Sequence, residues 1–199
     1  GHSAMQTDVV VCIEASHAKG MGHAYRALRL ALALQEQGAG GAIVGNENPV
    51  VKELTQSAGL SMHIAPTEDA EAGGWECALL EKLNPRVWIN DRLEVGEARA
   101  RLIHSKAVLV GIDYPGVGGR LAHLRFLTMP CTFVDAPGRN TYMGTEYLIL
   151  DPAFKIQARP RLASATPGIL VSMGGSDTWG ATVYIVSQLL SANIPATVL

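Results

Sequence analysis

From Glu14 to His23 the chain reads Glu14-Ala15-Ser16-His17-Ala18-Lys19-Gly20-Met21-Gly22-His23, and Arg26 follows one helical turn later. Glycines at 20 and 22 ahead of a helix let backbone N–H groups approach an anion, and the helix N-terminus adds partial positive charge. His23 and Arg26 are three residues apart and share a helix face. Two readings of this pair are open. One is a polar histidine in an exposed first turn with an unrelated surface arginine. The other is a general acid/base imidazole beside a bound phosphate or sugar, because imidazole titrates near neutral pH. Carboxylates at Asp91, Asp113 and Asp135 each follow an apolar run. They could orient water, bind sugar hydroxyls or bond loop amides. Gly174-Gly175-Ser176-Asp177 also follows an apolar run; its glycines suit contact with a diphosphate, while Ser176 and Asp177 could equally cap the next helix. Spacing ties His17, His63, His104 and His123 to no ligand set, and His104 lies near a helix end that favours its charge.

Several chemistries are excluded or disfavoured. A dinucleotide fingerprint needs a third glycine where Tyr25 stands, and no GxxxxGK[ST] is present, so neither a nicotinamide or flavin site nor a P-loop is expected. No HExxH or carboxylate–histidine triplet calls for a metal, and no organic cofactor is implied. Gly-x-Ser-x-Gly is absent, which disfavours a serine hydrolase. Cys12, Cys77 and Cys131 form no CxxC pair, against a structural zinc site or disulfide framework.

These residues need a scaffold that collects them, and the chain supplies one. Val9–Ile13 is apolar on both faces, as a central parallel strand should be. A helix is expected over about Gly22–Gln37, with Ala27, Leu28, Ala31, Leu32 and Leu34 on its apolar side and Gly38 at its end. Then come strand Ala42–Val44, helix Pro49–Ala58, strand Met62–Ala65 and helix Trp75–Leu83. Strand Val87–Asn90, helix Gly96–His104 and strand Ala107–Ile112 follow, with later apolar runs at Thr132–Val134 and Tyr147–Leu150. The Gly111–Gly119 stretch looks like a loop after a strand. This alternation predicts an α/β, Rossmann-like parallel sheet with helices on both faces. In such sheets ligands bind beyond the carboxyl ends of the strands, where the polar groups named above fall.

The rhythm breaks at residues 151–167, where Pro152, Pro160 and Pro167 suggest a linker. Ile169–Ser172 reads as a new strand, Trp179–Leu190 as a helix and Pro195–Leu199 as a further strand. The expected organisation is a probable-tag remnant at 1–5, a first domain at 6–150, a linker at 151–167, and at 168–199 the opening βαβ unit of a truncated second domain. One βαβ unit cannot cover both faces of its own sheet. Its apolar residues Ile169, Val171, Ile185 and Leu189 would need covering by further chain, a second copy or a partner chain.

With 199 residues, 48% hydrophobic and 17% charged, the chain can bury a core. A net charge of −2 argues against a duplex nucleic-acid partner. Apolar runs are too short or broken to span a membrane. No signal peptide is visible, and the odd cysteine count fits a reducing, cytoplasmic setting.

Taken together, Gly20-Met21-Gly22-His23-Ala24-Tyr25-Arg26, Ile89-Asn90-Asp91-Arg92-Leu93, Gly111-Ile112-Asp113, Gly144–Leu150 and Ile169–Asp177 resemble, in order and spacing, one family. It is the nucleotide-sugar hydrolases of pseudaminic and legionaminic acid biosynthesis, with the related spore coat polysaccharide proteins, which share the GT-B architecture of two Rossmann-like domains. The resemblance implies metal-free hydrolysis of a UDP-linked 2,4-diacetamido-trideoxy sugar by water attack at the anomeric carbon. His23 would activate the water. Gly20 and Gly22, with Gly174, Gly175, Ser176 and Asp177, would hold the diphosphate, Arg26 would bind substrate, and Asp91, Asp113 and Asn140 would line the sugar side. The alternatives are a glycosyltransferase of the same architecture and a non-catalytic sugar- or nucleotide-binding module.

Overall fold

The computed structural model describes residues 7–14, 21–65, 74–92, 95–129, 138–156, 168–174 and 177–199. Two compact units are present, one of residues 1–15 and 23–150 and one of 16–22 and 151–199.

In the first unit, strands β1 (Val9–Ile13), β2 (Gly41–Gly45), β3 (Ser61–Ile64), β4 (Val87–Asp91), β5 (Val108–Ile112), β6 (Leu124–Leu127) and β7 (Thr141–Met143) form one sheet in the order β3-β2-β1-β4-β5-β6-β7. Every neighbouring pair is parallel. The chain builds outward from β1 to β3, then returns to lay β4 on the other side of β1. The switch point of the sheet therefore lies between β1 and β4, the place where ligands bind in open α/β sheets.

The helices are α1 (Gly22–Glu36), α2 (Pro49–Ser57), α3 (Gly74–Leu83), α4 (Glu97–Lys106) and the short α5 (Val117–Leu121). Right-handed crossovers that travel in opposite directions put their helices on opposite faces. Alternate strand residues show both faces filled. Val10, Cys12, Val44, Trp88 and Leu109 pack with Leu80 of α3 and with Ala100 and Ile103 of α4. Their strand neighbours Val11, Ile43, Ile89, Val110 and Ile112 turn to the other face, where α1 buries Ala24, Ala27, Leu28 and Ala31. Burial pushes the Cys12 thiol up to about 12, so it is a core side chain and no nucleophile. Cys12 and Cys77 are free; Cys131 lies outside the described residues.

Expected and observed elements agree within two residues from β1 to β5, and they part after Ile112. Gly118 and Gly119 do not lie in a loop but in α5, pressed on Tyr114. A Cβ on Gly119 would fall inside the Tyr114 carbonyl oxygen. Two strands, Leu124–Leu127 and Thr141–Met143, stand where no strand was expected. The expected run Thr132–Val134 lies outside the described residues. The run Tyr147–Leu150 is the end of a 3-10 turn (Thr145–Tyr147) and an extended exit from the sheet.

The second unit pairs β8 (Ile169–Val171) in parallel with β9 (Ala196–Val198), joined by α7 (Ala181–Ser191), after a short α6 (Ala153–Ile156). Val171 is buried, and Ile185 and Leu189 are half-buried. Ile169 is exposed as expected, and the rest of the bare apolar surface belongs to other residues: Trp179 is 91% exposed and Val183 78%, with Tyr184 and Leu190 close behind. Among the described residues no helix is long and apolar enough to cross a membrane.

One polar cluster is buried within the α3/α4 layer. Glu76 at the start of α3 accepts from Arg99 Nε at 2.6 Å and pairs with the same guanidinium through Nη2. Arg92 stands 3.9 Å from the same oxygen, and both guanidiniums lie over the Trp75 ring. A buried carboxylate that loses its cation pays its full desolvation cost. Arg99→Leu is expected to lower the free energy of urea unfolding by about 3 kcal/mol, and the double variant Glu76→Leu/Arg99→Leu to regain most of it. Additive losses would show that the pair carries no coupling.

Candidate functional site

The site lies at the carboxyl edge of the sheet, across its switch point. β1 ends at Ile13, paired in register with Asp91, the last residue of β4. α1 then starts at Gly22 and carries His23 and Arg26 in its first turns. His23 Nδ1 and Asp91 Oδ1 are 2.7 Å apart. Arg26 donates from Nε to Asp91 Oδ2 at 2.7 Å, and from Nη2 to Asp91 Oδ1. The fork geometry of guanidinium matches a carboxylate edge-on, which a lysine cannot do.

The chain of bonds continues into the next two strands. Arg26 Nη1 pairs with Asp113 Oδ2, just beyond β5. Asp113 accepts from the Thr128 amide at 2.7 Å and from the Thr128 hydroxyl at 2.8 Å, just beyond β6. Asp113 holds a left-handed backbone with φ of 48°, uncommon for a non-glycine residue. That turn lets its amide donate to Phe126 O at 2.8 Å while its carboxylate faces Arg26. Four successive segments of the sheet edge (the α1 start, β4, β5 and β6) are thus tied through one arginine.

Burial is graded along this chain. The Asp91 side chain is 1% exposed, whereas Arg26, Asp113 and His23 are 15–18% exposed. Burial alone would raise the Asp113 carboxyl. The Thr128 amide and hydroxyl and the Arg26 guanidinium outweigh it and hold the group below the usual carboxylate range. Burial likewise works against the Arg26 charge, and Asp91 and Asp113 outweigh it, raising its pKa further.

A carboxylate with no proton of its own can only accept, so Nδ1 of His23 carries the hydrogen and donates it to Asp91. In the neutral ring of that tautomer, Nε2 is the lone-pair nitrogen. The Asp–His pair fixes tautomer and ring orientation, and the carboxylate faces the charge the ring gains on taking a proton. The arrangement can withdraw a proton from a hydroxyl or a water.

The structure brings together His23, Arg26, Asp91 and Asp113, with Gly22 opening the same helix. It does not bring Asn140 to them. Asn140 immediately precedes β7, at the amino edge of the sheet, where its Nδ2 donates to Ala122 O at 2.7 Å and to Arg120 O at 3.3 Å. Its position there corrects the expectation that it lines the sugar side. The cause is the strand register: β7 begins at Thr141, so Asn140 enters a strand and does not leave one. In the second unit, Asp177 accepts from the Ala181 amide at 2.9 Å and the Thr182 amide at 3.1 Å at the start of α7. Its carboxylate occupies amides that a diphosphate would need, which favours the capping reading of this residue. Gly174 stands in a left-handed turn with φ of 75°. Gly20, Gly175, Ser176 and Asp135 lie outside the described residues. Thr128 was missed by sequence reasoning, because Arg125 interrupts the apolar run that makes its strand.

Among the described residues no group of three or more His, Cys, Asp or Glu side chains could hold a metal ion.

No protein-family model and no curated protein matches the chain. Solved structures do. MurG of Acinetobacter baumannii superposes with a TM-score of 0.57 at 12% identity, over 95% of this chain and 59% of that one. A glycosyltransferase from Rickettsia africae ESF-5 gives 0.56 at 12% identity, over 94% and 58%. The glycotransferase of kitacinnamycin gives 0.52 at 12% identity, over 94% and 64%. At this identity the likeness shows the fold: a Rossmann-like α/β unit of the GT-B glycosyltransferase type. The chain spans less than two thirds of the length of each neighbour. The neighbours support that fold and not membership of the hydrolase family that the motifs resemble.

The low folded-state value of Asp113 makes a pH prediction. Its stabilising contribution is complete above the unfolded value of about 3.9 and is lost as pH falls through the lower folded value. Asp113→Asn is expected to lower the urea midpoint at neutral pH. Between about pH 5 and pH 2 it should also lose less stability than the parent chain. Parallel midpoint curves for the two proteins would refute the role assigned to this carboxylate.

Proposed function

We propose that the chain carries the acceptor side of a GT-B enzyme acting on a nucleotide sugar, with His23 as the base. The observation that carries this reading is the 2.7 Å bond from His23 Nδ1 to an Asp91 carboxylate locked by Arg26 at the sheet's switch point. In the reaction, His23 Nε2 takes the proton of an acceptor hydroxyl. The acceptor oxygen bonds to the anomeric carbon, and the bond from that carbon to the diphosphate oxygen breaks, its electron pair leaving on the diphosphate. Attack opposite the leaving group inverts the anomeric centre. The diphosphate gains charge as it departs, so donors aligned on it lower the barrier most. The α1 N-terminus at Gly22 is the element proposed to supply them, with Gly20, two residues earlier in the sequence, proposed to take part.

Asp91 acts through His23, as the group that orients the ring. Arg26 acts through Asp91 by aiming its carboxylate, and Asp113 acts one step further back by holding the Arg26 guanidinium. Asp113 remains a proposed contact for sugar hydroxyls through its exposed edge.

Water in place of an acceptor hydroxyl gives hydrolysis by the same steps. That is the outcome implied by the resemblance to the nucleotide-sugar hydrolases, whose substrate is a UDP-linked diacetamido-trideoxy sugar. The base chemistry is the same, and the two reactions differ in what fills the space next to Nε2.

The second unit is proposed to be the opening βαβ unit of a second Rossmann-like domain. Its parallel β8–β9 pair and the bare apolar side chains of Trp179, Val183 and Tyr184 support this reading, since such a surface needs a partner layer.

His23→Ala is expected to lower release of UDP from a UDP-linked amino sugar by at least about 100-fold, with the thermal midpoint unchanged. Turnover that survives the substitution overturns the base assignment. The same assay separates the two outcomes: release that requires an added alcohol is transfer, and release in buffer alone is hydrolysis.

A further inference from the structure

Thr128 is the first residue after β6, 2% exposed, and β6 stands three places from β1 in the sheet. A valine has nearly the same shape and would fill the position with apolar surface alone. Threonine instead buries a hydroxyl, and that hydroxyl donates to Asp113 Oδ2 at 2.8 Å. The Thr128 amide takes the other carboxylate oxygen, Oδ1, at 2.7 Å. Branching at Cβ restricts the side chain to few rotamers, so the end of the strand itself aims the hydroxyl.

Contact at two points is what fixes a planar group. One hydrogen bond leaves a carboxylate able to swing about the bonded oxygen, and a second on the other oxygen removes that freedom. Asp113 is held at both oxygens by Thr128, and Asp91 at both oxygens by Arg26. The link between the two carboxylates is single. It runs from Arg26 Nη1 to Asp113 Oδ2, the oxygen that the Thr128 hydroxyl fixes. The last link, between Asp91 Oδ1 and His23 Nδ1, is single as well. Orientation is therefore inherited along the row. Without the hydroxyl, Asp113 Oδ2 swings about the amide-bound Oδ1, Arg26 follows it, and the edge of Asp91 offered to His23 turns.

We infer that Thr128 is a positioning residue for His23. Its hydroxyl sets, through Asp113, Arg26 and Asp91, which ring nitrogen of His23 carries the hydrogen. The row transmits orientation, and no proton moves along it. For its catalytic consequence the inference rests on the reading of His23 as the base of a nucleotide-sugar enzyme.

The test reads the ring directly, by heteronuclear NMR of the histidine ring nitrogens in the full chain, at a pH where His23 is neutral. The parent is expected to show Nδ1 protonated and Nε2 bare. Thr128→Val keeps the amide bond and the volume, and should shift the ring toward a mixture of both tautomers. Thr128→Ser restores the hydroxyl and should restore the parent signal. If the valine variant does not fold, Thr128→Cys replaces it, and its weak S–H donor should give a shift in the same direction. A ring unchanged by loss of the hydroxyl overturns the inference. So does a serine variant shifted as far as the valine one, because the hydroxyl would then not be the cause.

Activity supplies the second readout. In the UDP-release assay, Thr128→Val should lower kcat at least about tenfold with KM unchanged, and Thr128→Ser should recover it. A tautomer shift that leaves kcat unchanged overturns the positioning role. The two readings fail separately. Release indifferent to His23→Ala removes the base, and the tautomer result stands apart from it. Release that needs His23 while Thr128→Val leaves both ring and kcat unchanged removes the positioning role and leaves the base.

Discussion

The ion pair between Asp91 and Arg26 is the constraint on which the carboxyl edge of the first unit's sheet depends. A carboxylate with a 1% exposed side chain is costly unless its charge and its lone pairs are met. Arg26 meets both oxygens, and His23 adds a third bond to one of them. Because Arg26 has donors left over, it also takes Asp113, and Asp113 takes Thr128. Removing Arg26 would leave two carboxylates facing each other across the sheet edge without a cation between them. The left-handed backbone at Asp113 fits this picture. A residue held in an uncommon conformation persists where its surroundings over-determine it, here by two bonds from Thr128, one to Phe126 O and one ion pair.

Much of this edge was legible in the sequence, for identifiable reasons. Parallel strands buried on both faces read as continuous apolar runs, so the ends of β1, β4 and β5 could be placed to within two residues. A ligand edge lies at those ends by topology, which pointed to His23, Arg26, Asp91 and Asp113 before any contact was known. Which group bonds to which was not legible. The His23–Asp91 bond needs the β1–β4 register that sets Ile13 beside Asp91, and register between strands 78 positions apart leaves no local trace.

The misreadings cluster after Ile112, and one of them turns on a single residue. β6 contains Arg125, 2% exposed, and a buried arginine in a short strand looks like a loop residue. Its partners are distant: Nε donates to Thr141 Oγ1 at 3.0 Å and Nη1 to Pro115 O at 3.4 Å. Without them Leu124–Leu127 does not read as a strand, and Thr128 loses its place at the carboxyl edge. A single satisfied charge thus hid one strand and the edge residue that follows it.

The network stands beside an apolar layer by one geometric rule applied twice. Period two on β4 sets Ile89 under Asp91, and a turn of α1 sets Leu30 under Arg26, so polar and apolar layers alternate along both elements in step. The Asp91 side chain is 1% exposed, and charges in a drier setting interact more strongly than at an open surface. That strengthens the hold on Asp91 and so on the His23 ring. The apolar layer cannot recognise a sugar or a phosphate, whose oxygens would find no donors there. Under the proposed function, recognition of the donor diphosphate falls to the amides at the α1 N-terminus.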